Sequence, residues 1–288
     1  MKKLVLTGAS GFLGSKLYFM LQRKYNVVGT YNTQKKEGLH KLDITDSDAT
    51  QEFLKKEKPE IILHTAALVN LELCETNKKL AEMVNYTATK NIVEYCKKFG
   101  AKLIYISTSY VFDGQKGSYN EDDKCNPINF YGETKRRAEL SVLELSNPLI
   151  LRLDAIYGYN SSDENNGFFS LILKSNGLSA NNNQKRQPLI IDDIESAIEI
   201  LLEKNCTGIY HLGGEDNLTK YELGLMLEKI IRKESMISPI ANKDRAARRP
   251  KDVSLDTTKA KNLGIKFSSV SEGIKMIEQQ YQQATKDL

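Results

Sequence analysis

Short apolar runs rich in β-branched residues recur along the chain at KLVLTG (3–8), NVVGTY (26–31), EIILHTAA (60–67), KLIYIST (102–108) and LILRL (149–153). Such near-continuous runs suit strands buried on both faces. The segments between them predict helices near 12–24, 47–57, 77–98 and 131–145. In the third, Leu80, Met83, Val84, Ala88, Ile92, Val93 and Cys96 fall close to helical periodicity. Strand and helix alternate, which predicts an α/β protein with a doubly wound parallel sheet.

After residue 158 the pattern loosens. GYNSSDENNG (158–167) and SANNNQKRQP (179–188) are polar and read as loops. A helix is predicted from Asp192 to Lys204, a strand at GIYHLGG (208–214), and helices from Lys220 to Arg232 and from Val270 to Gln283. The expected organisation is a Rossmann-type nucleotide-binding domain over 1–157, completed by about 186–212. A smaller C-terminal substrate-binding lobe takes 158–185 and 213–288. No internal repeat is apparent.

Composition adds limits. The 288 residues are 40% hydrophobic and 27% charged, enough to bury a sizeable core. The 41 basic and 37 acidic residues leave a net charge of +4, too small and dispersed to predict nucleic-acid binding. Arg245, Arg248, Arg249 and Lys251 are the local exception. The apolar run of MKKLVLTGASG stops at Thr7 and Gly8, and no segment approaches the roughly 18 apolar residues of a membrane span. Cys74, Cys96, Cys125 and Cys206 are widely spaced and form no ligand pattern with the three histidines. Reduced thiols in a cytoplasmic protein without a metal are expected.

The first candidate chemistry lies where the first strand runs into a helix. Thr7-Gly8-Ala9-Ser10-Gly11-Phe12-Leu13-Gly14 has the glycines that a tight turn, a close approach to pyrophosphate and close helix–strand packing require. Its GxxGxxG spacing points to short-chain dehydrogenase/reductase relatives. An acidic residue at the end of the second strand would favour NAD, but Tyr31-Asn32-Thr33-Gln34-Lys35-Lys36 has none, and lysines accept a 2′-phosphate. NADP(H) is favoured over NAD(H), with Lys35 a cofactor contact. Asp43 is a candidate adenine contact or equally a turn residue.

Tyr131 and Lys135 in NFYGETK stand one helical turn apart, as do Tyr31/Lys35 and Tyr86/Lys90. Surroundings separate the three. STSYVFDG (107–114) follows the fourth long strand, and ligands of an open α/β sheet bind beyond the strands' carboxyl ends. Ser107, Thr108, Tyr131 and Lys135 therefore converge on one crevice. The Tyr86/Lys90 pair sits mid-helix and reads as structural. Hydride reduction of a carbonyl builds alkoxide character on oxygen, so it needs a proton donor beside that oxygen. A phenol serves when a nearby ammonium lowers its pKa, and Thr108 can hydrogen-bond the carbonyl. Asn85 is a candidate support near Lys135 or a plain surface residue.

GASGFLG, HTAALVNLELCE, VNYTATKNIVEYCKKFGAKLIYISTSYVFDG, NPINFYGETKRRAE, GIYHLGG and RRPKDVSLDTTK together resemble an extended short-chain dehydrogenase/reductase of the dTDP-4-dehydrorhamnose reductase-like branch, from residue 1 to about 265. The resemblance implies NAD(P)H-dependent reduction of the 4-keto group of a nucleotide-linked 6-deoxy sugar, with Thr108, Tyr131 and Lys135 catalytic. It implies cofactor contacts from Gly8, Ser10, Gly11, Phe12, Leu13, Gly14, Tyr31, Asn32, Lys35, Asp43, Ile44, Ala66, Ala67, Asn85, Tyr131 and Lys135. Substrate contacts are implied for Val69, Ser109, Arg152, Arg186, Arg248 and Arg249; guanidinium forks suit a diphosphate. A homodimer follows from the resemblance alone. Two departures fall near the implied sugar site: Ser109 replaces the aspartate of STDYVF, and RLDAIYG (152–158) replaces RTSWVYG. Phe168 and Phe169 read as core packing ahead of pocket lining.

Net reduction is preferred over an NAD-recycling epimerase or dehydratase, because Ser109 adds no acid beside Thr108. The competing class is a non-catalytic NADP-binding regulatory subunit like the β-subunit of methionine adenosyltransferase.

Overall fold

Leu4 and Leu6 turn to one face of the first strand and Val5 to the other, and all three are fully buried, so this strand lies in the middle of a covered sheet. The computed structural model describes residues 1–160, 167–174, 177–230, 237–240 and 245–286. Its strands are β1 (Lys3–Thr7), β2 (Asn26–Tyr31), β3 (His40–Lys41), β4 (Ile61–His64), β5 (Lys102–Thr108), β6 (Leu149–Leu153), β7 (Ile156–Tyr157), β8 (Leu178–Asn181), β9 (Lys185–Arg186), β10 (Leu189–Ile190), β11 (Gly208–Leu212), β12 (Leu218–Thr219) and β13 (Ile237–Ile240). Its helices are α1 (Phe12–Leu21), α2 (Ser47–Glu57), α3 (Leu71–Thr76), α4 (Lys78–Glu82), α5 (Ala88–Phe99), α6 (Phe130–Val142), α7 (Phe168–Lys174), α8 (Ile191–Glu203), α9 (Lys220–Glu228), α10 (Thr258–Lys261) and α11 (Val270–Lys286).

Seven parallel strands form one sheet in the order β11-β6-β5-β4-β1-β2-β3. The chain builds outward from β1 to β2 and β3, then crosses back to β4, so the order reverses between β1 and β4. That reversal opens the crevice in which doubly wound folds bind ligands. Leu17 and Leu21 of α1 with Ile194, Ala197, Ile198 and Leu201 of α8 cover one face. Ile92, Val93 and Cys96 of α5 with Ala138 and Val142 of α6 cover the other. Beyond the sheet, Phe168, Phe169 and Ile172 of α7 pack with Leu223 and Leu227 of α9, Ile237 and Ile277 as a separate apolar cluster. Phe168 and Phe169 are core residues there, in accordance with the packing reading.

The expected single helix over 77–98 is α4 and α5 joined by a π-helical turn at Met83–Thr87. The polar stretch 179–188, expected as loop, carries β9 and most of β8. Short two-stranded pairings order it: β8 with β13, β9 with β12. Of the loop expected at 158–167, residues 161–166 lie outside the described residues, as do the last two residues of the helix expected at 220–232.

A buried polar row crosses the second sheet face. Ser107 pairs in register with Arg152, and Arg152 with His211, so the three side chains stand side by side. Glu139 of α6 closes the row from above. It accepts Arg152 Nε and Nη2 at 2.9 Å each, the Ser107 hydroxyl at 2.6 Å and Arg136 Nη1 at 2.8 Å. Arg152 also reaches His211 Nε2 and Cys125 Sγ, both at 3.2 Å, and lies over the Phe112 ring. Burial alone would raise the Glu139 carboxyl, but these donors hold it below the usual carboxylate range.

Arg152 is 1% exposed and Glu139 not at all. Removing one partner leaves a buried charge uncompensated, so Arg152→Met is expected to lower unfolding free energy by about 3–5 kcal/mol in urea titration. The Arg152→Met/Glu139→Gln double variant should lose less than Arg152→Met alone. An equal or larger loss in the double variant would show that the charges themselves are not what matters.

Candidate active site

The glycine turn closes the amino-terminal side of the crevice. Gly8 has φ +72° and lies so near Ala66 that a Cβ would sit 2.8 Å from its backbone. A Cβ on Gly14 would fall 2.1 Å from the Gly8 carbonyl, so α1 and the turn pack at backbone contact. Gly11 is the N-cap of α1, and neither a capping side chain nor an acid in the first turn occupies the helix's free N–H groups. Ser10 is buried, and Phe12 and Leu13 begin the helix. Ala66 and Ala67 run past the turn. Thr65 and Thr7 hold this segment through Thr65 Oγ1 to the Thr7 carbonyl at 2.6 Å.

At the adenosine side, Tyr31 ends β2 and Asn32 follows it, and Lys35 is exposed in the loop beyond. Asp43 takes the turn role: its Oδ1 accepts the Thr45 N–H at 2.9 Å and hydroxyl at 2.7 Å, bonds that hold the carboxyl below its ordinary range. Ile44 is buried with Leu42 and Ala88 beneath the crevice. His64, at the end of β4, is wedged between the Thr7 hydroxyl at 2.7 Å and the Thr89 hydroxyl at 3.1 Å. Burial, then the Lys135 charge, lowers it to about 3, so it stays neutral.

Asn129 sets the start of α6 by capping the Gly132 N–H at 2.9 Å, and Glu75 accepts the Phe130 N–H at 2.9 Å. Tyr131, Lys135 and Glu139 then follow at one-turn intervals on the face toward the sheet. The Tyr131 phenol lies near enough to the Thr108 hydroxyl to feel it. Burial raises its pKa, the Thr108 hydroxyl opposes that rise in part, and Tyr110, edge-on at 6.0 Å, walls it in. Lys135 Nζ donates to the Ile106 carbonyl at 2.7 Å and lies 4.1 Å from the Tyr105 ring centroid. Burial lowers its pKa to about 7 against an opposing contribution from Glu139. The expected effect of an ammonium lowering the tyrosine pKa is therefore replaced here by burial keeping the phenol protonated.

Asn85 lies in the π-helical turn and is 1% exposed, so the surface alternative falls away. Its amide accepts the Leu68 N–H at 2.8 Å and donates to the Leu68 carbonyl at 3.0 Å and to Thr134 Oγ1 at 3.3 Å. It thus ties the β4 loop to α6. Tyr86 of the lookalike pair faces Arg137, not a strand end.

The expected substrate residues divide. Val69 is exposed at the crevice edge. Ser109 is buried and donates to Asp154 Oδ1 at 2.8 Å, while Asp154 Oδ2 accepts the Gln187 N–H at 2.7 Å. Arg152 belongs to the buried row and has no path to a substrate, which corrects its expected contact. Arg186 is an internal strut: its guanidinium donates to Tyr110 Oη and the Pro250 carbonyl, both at 3.1 Å, and covers the Tyr110 ring. Arg249 pairs with Glu72 at 3.0 Å. Arg248 is exposed, and Asn129 Nδ2 anchors its carbonyl at 2.9 Å beside the start of α6. Lys220, which sequence inspection passed over, lies 4.5 Å from the Phe168 ring centroid, near enough to Arg245 and Arg249 to feel their charges.

At the opposite, amino ends of the central strands an open groove of about 670 Å³ is lined by Lys2, Lys55, Lys58 and Lys102 together with Glu60, Tyr95 and Phe99. Lys55 and Lys58 sit at the carboxyl end of α2, where cations complement the helix dipole. Among the described residues no His, Cys, Asp or Glu cluster could hold a metal, all four cysteines are free thiols, and no helix is long and apolar enough to cross a membrane.

The family model described as RmlD substrate binding domain matches residues 1–283. The chain belongs to that family. A hypothetical dTDP-4-dehydrorhamnose reductase from Sulfolobus tokodaii shares 33% identity at a TM-score of 0.84, over 93% of this chain and 97% of that one. A dTDP-4-dehydrorhamnose reductase from Bacillus anthracis, solved in complex with NADP, shares 27% at a TM-score of 0.85, over 96% and 98%. Methionine adenosyltransferase 2 subunit beta of Rattus norvegicus is 31% identical over 278 residues, 92% of this chain and 83% of the relative. The fold and the extended short-chain dehydrogenase/reductase likeness expected from the sequence both hold, and at a coarse level the family is one of oxidoreductases.

Lys135 gives a prediction with a defined sign. A lysine whose pKa falls from 10.5 unfolded to about 7 folded penalises the fold fully below about 7, and the penalty fades as pH rises toward 10.5. Without cofactor, Lys135→Met should be more stable than the parent near pH 6, with the difference shrinking steadily by pH 9. A difference that does not change with pH, measured by urea denaturation, would contradict this electrostatic account of the site.

Proposed function

We propose that the protein reduces the 4-keto group of a nucleotide-linked 6-deoxy sugar with NADPH. The observation that carries the reading is the placement of a buried Tyr131 phenol near the buried Thr108 hydroxyl at the carboxyl end of β5, one helical turn from Lys135. When bound, the reduced nicotinamide supplies hydride. The residues supply the rest. Thr108 orients the carbonyl by hydrogen bonding, and Tyr131 gives its proton to the developing alkoxide oxygen. Net reduction consumes that proton, so a phenol that burial keeps protonated starts in the competent state. Lys135, released from the Ile106 carbonyl, is the cation that meets the resulting tyrosinate and holds the nicotinamide ribose. A proton from bulk solvent then restores the Tyr131 phenol, so each reduction consumes one hydride and one solvent proton.

The uncapped amino terminus of α1 and the backbone contact at Gly8 and Gly14 support a dinucleotide in the crevice. Arg248, Arg249 and Lys220 are proposed for the substrate diphosphate. Asn85 positions the β4 loop through Leu68. The B. anthracis complex supports NADP as the cofactor.

A second reading is a regulatory subunit that retains the cofactor without turning it over, and the 31% likeness to methionine adenosyltransferase 2 subunit beta favours it. Following nicotinamide absorbance with NADPH and a panel of nucleotide-linked 4-keto-6-deoxy sugars separates the two. Oxidation with one sugar is expected, and Tyr131→Phe should lower turnover on the order of 10²-fold or more, with NADPH affinity preserved. Near-parental turnover in Tyr131→Phe would remove the phenol from the mechanism. NADPH retained but never oxidised across the panel would favour the regulatory reading.

A further inference from the structure

The adenosine end of the crevice holds a cation outside the lysines of the 33–36 loop. Lys41, the second residue of β3, stands opposite Tyr31 in the parallel register. Its ammonium donates to Asn32 Oδ1 at 2.9 Å and to the Asn32 carbonyl, and lies 5.8 Å from the Tyr31 ring centroid. Asn32 directly follows β2, the place where a doubly wound fold meets the ribose 2′ substituent. Asp43 spends its main bonds on Thr45 in its own loop and only secondarily meets Asn32 and the Lys41 charge, so it opposes an incoming anion less than it would as a direct ion pair. An ammonium has three donors, and Asn32 takes two of them. Lys41 is also exposed, so a dianion can reach the third.

Lys35 lies in a loop with no strand partner, whereas strand register fixes Lys41 beside Asn32. A phosphate pairs best with a cation already held in position, because less side-chain freedom is lost on binding. We propose that Lys41 selects NADPH over NADH by pairing with the adenosine 2′-phosphate. This rests on the reading of the crevice as a nicotinamide-dinucleotide site.

The test is direct titration of the full chain with NADPH and NADH, followed by nicotinamide fluorescence at low and raised salt, with no sugar present. Lys41→Gln keeps an N–H donor on a slightly shorter side chain while removing the charge. It should weaken NADPH binding about tenfold, leave NADH within about twofold, and flatten the salt dependence of NADPH binding. Lys41→Glu should invert the preference. An unchanged melting temperature in Lys41→Gln would show that the β2–β3 edge is intact. NADPH affinity unaltered in Lys41→Gln, or a preference lost only on substituting Lys35 or Lys36, would overturn the inference. A parent protein that prefers NADH would also overturn it. Binding of neither nucleotide by the parent would instead refute the dinucleotide reading beneath it, and the inference with it.

Discussion

The Glu139 carboxylate is enclosed by protein, and it can stay ionised only where Arg152, Ser107 and Arg136 all reach it. That requirement fixes the rotation of α6 about its axis and its height above the sheet. Because Tyr131 and Lys135 precede Glu139 by two turns and one turn, the same rotation sends the phenol to Thr108 and the ammonium to the Ile106 carbonyl. Register does the complementary work below: Ser107, Arg152 and His211 occupy paired positions on β5, β6 and β11, so the carboxylate binds the first two strands and Arg152 carries the link to the third. A slip of one residue in any of them would turn the polar row onto the opposite, apolar face.

Burial acts on Tyr131 and Lys135 in opposite directions, and both effects suit the proposed reduction. It raises the phenol and lowers the ammonium to about 7, so the phenol rests protonated while the lysine stands near the midpoint of its titration at neutral pH. An uncharged pair is the cheaper occupant of a closed site. Charge is needed only as the proton leaves Tyr131. The anchor for this arrangement is again Glu139, whose charge is what holds Lys135 from falling further.

Much of the frame was legible because it is local. The bounds of β2, β5, β6 and α2 follow the apolar runs and the Asp46 cap residue by residue. The break in the helix expected over 77–98 was not, since the extra residue of a π turn leaves no mark on apolar periodicity. It is explained only by what Asn85 does there, bonding Leu68 across 17 residues of chain. The arginines show the same limit. Arg152 reads as a substrate contact and Arg186 as a phosphate ligand in sequence, yet their partners lie 13 residues away at Glu139 and 64 away at Pro250, and contacts of that separation carry no local signal. Lys41 was obscured for the opposite reason: a two-residue strand is too short to register as a pattern, so its pairing with Tyr31 was invisible.

The departure at Ser109 has a physical resolution in the neighbouring strand. The aspartate expected at 109 and the serine expected at 154 have changed places, and the Ser109 hydroxyl meets the Asp154 carboxylate at 2.8 Å. A carboxylate is thus kept beside the end of β5 but delivered from β6. Burial raises Asp154, which by itself would suit a general acid, while Arg186, the Gln187 N–H and Ser109 oppose the rise. Both of its oxygens are already engaged, one by Ser109 and one by Gln187. An acid that must first give up two hydrogen bonds is poorly placed to abstract or deliver a proton at a sugar carbon, the step that dehydration would add. It is well placed to hold the 109 and 187 segments together. In the proposed reduction the exchange therefore leaves Thr108 and Tyr131 as the groups free to act on the carbonyl, and one proton donor with one hydroxyl is what reduction without elimination requires.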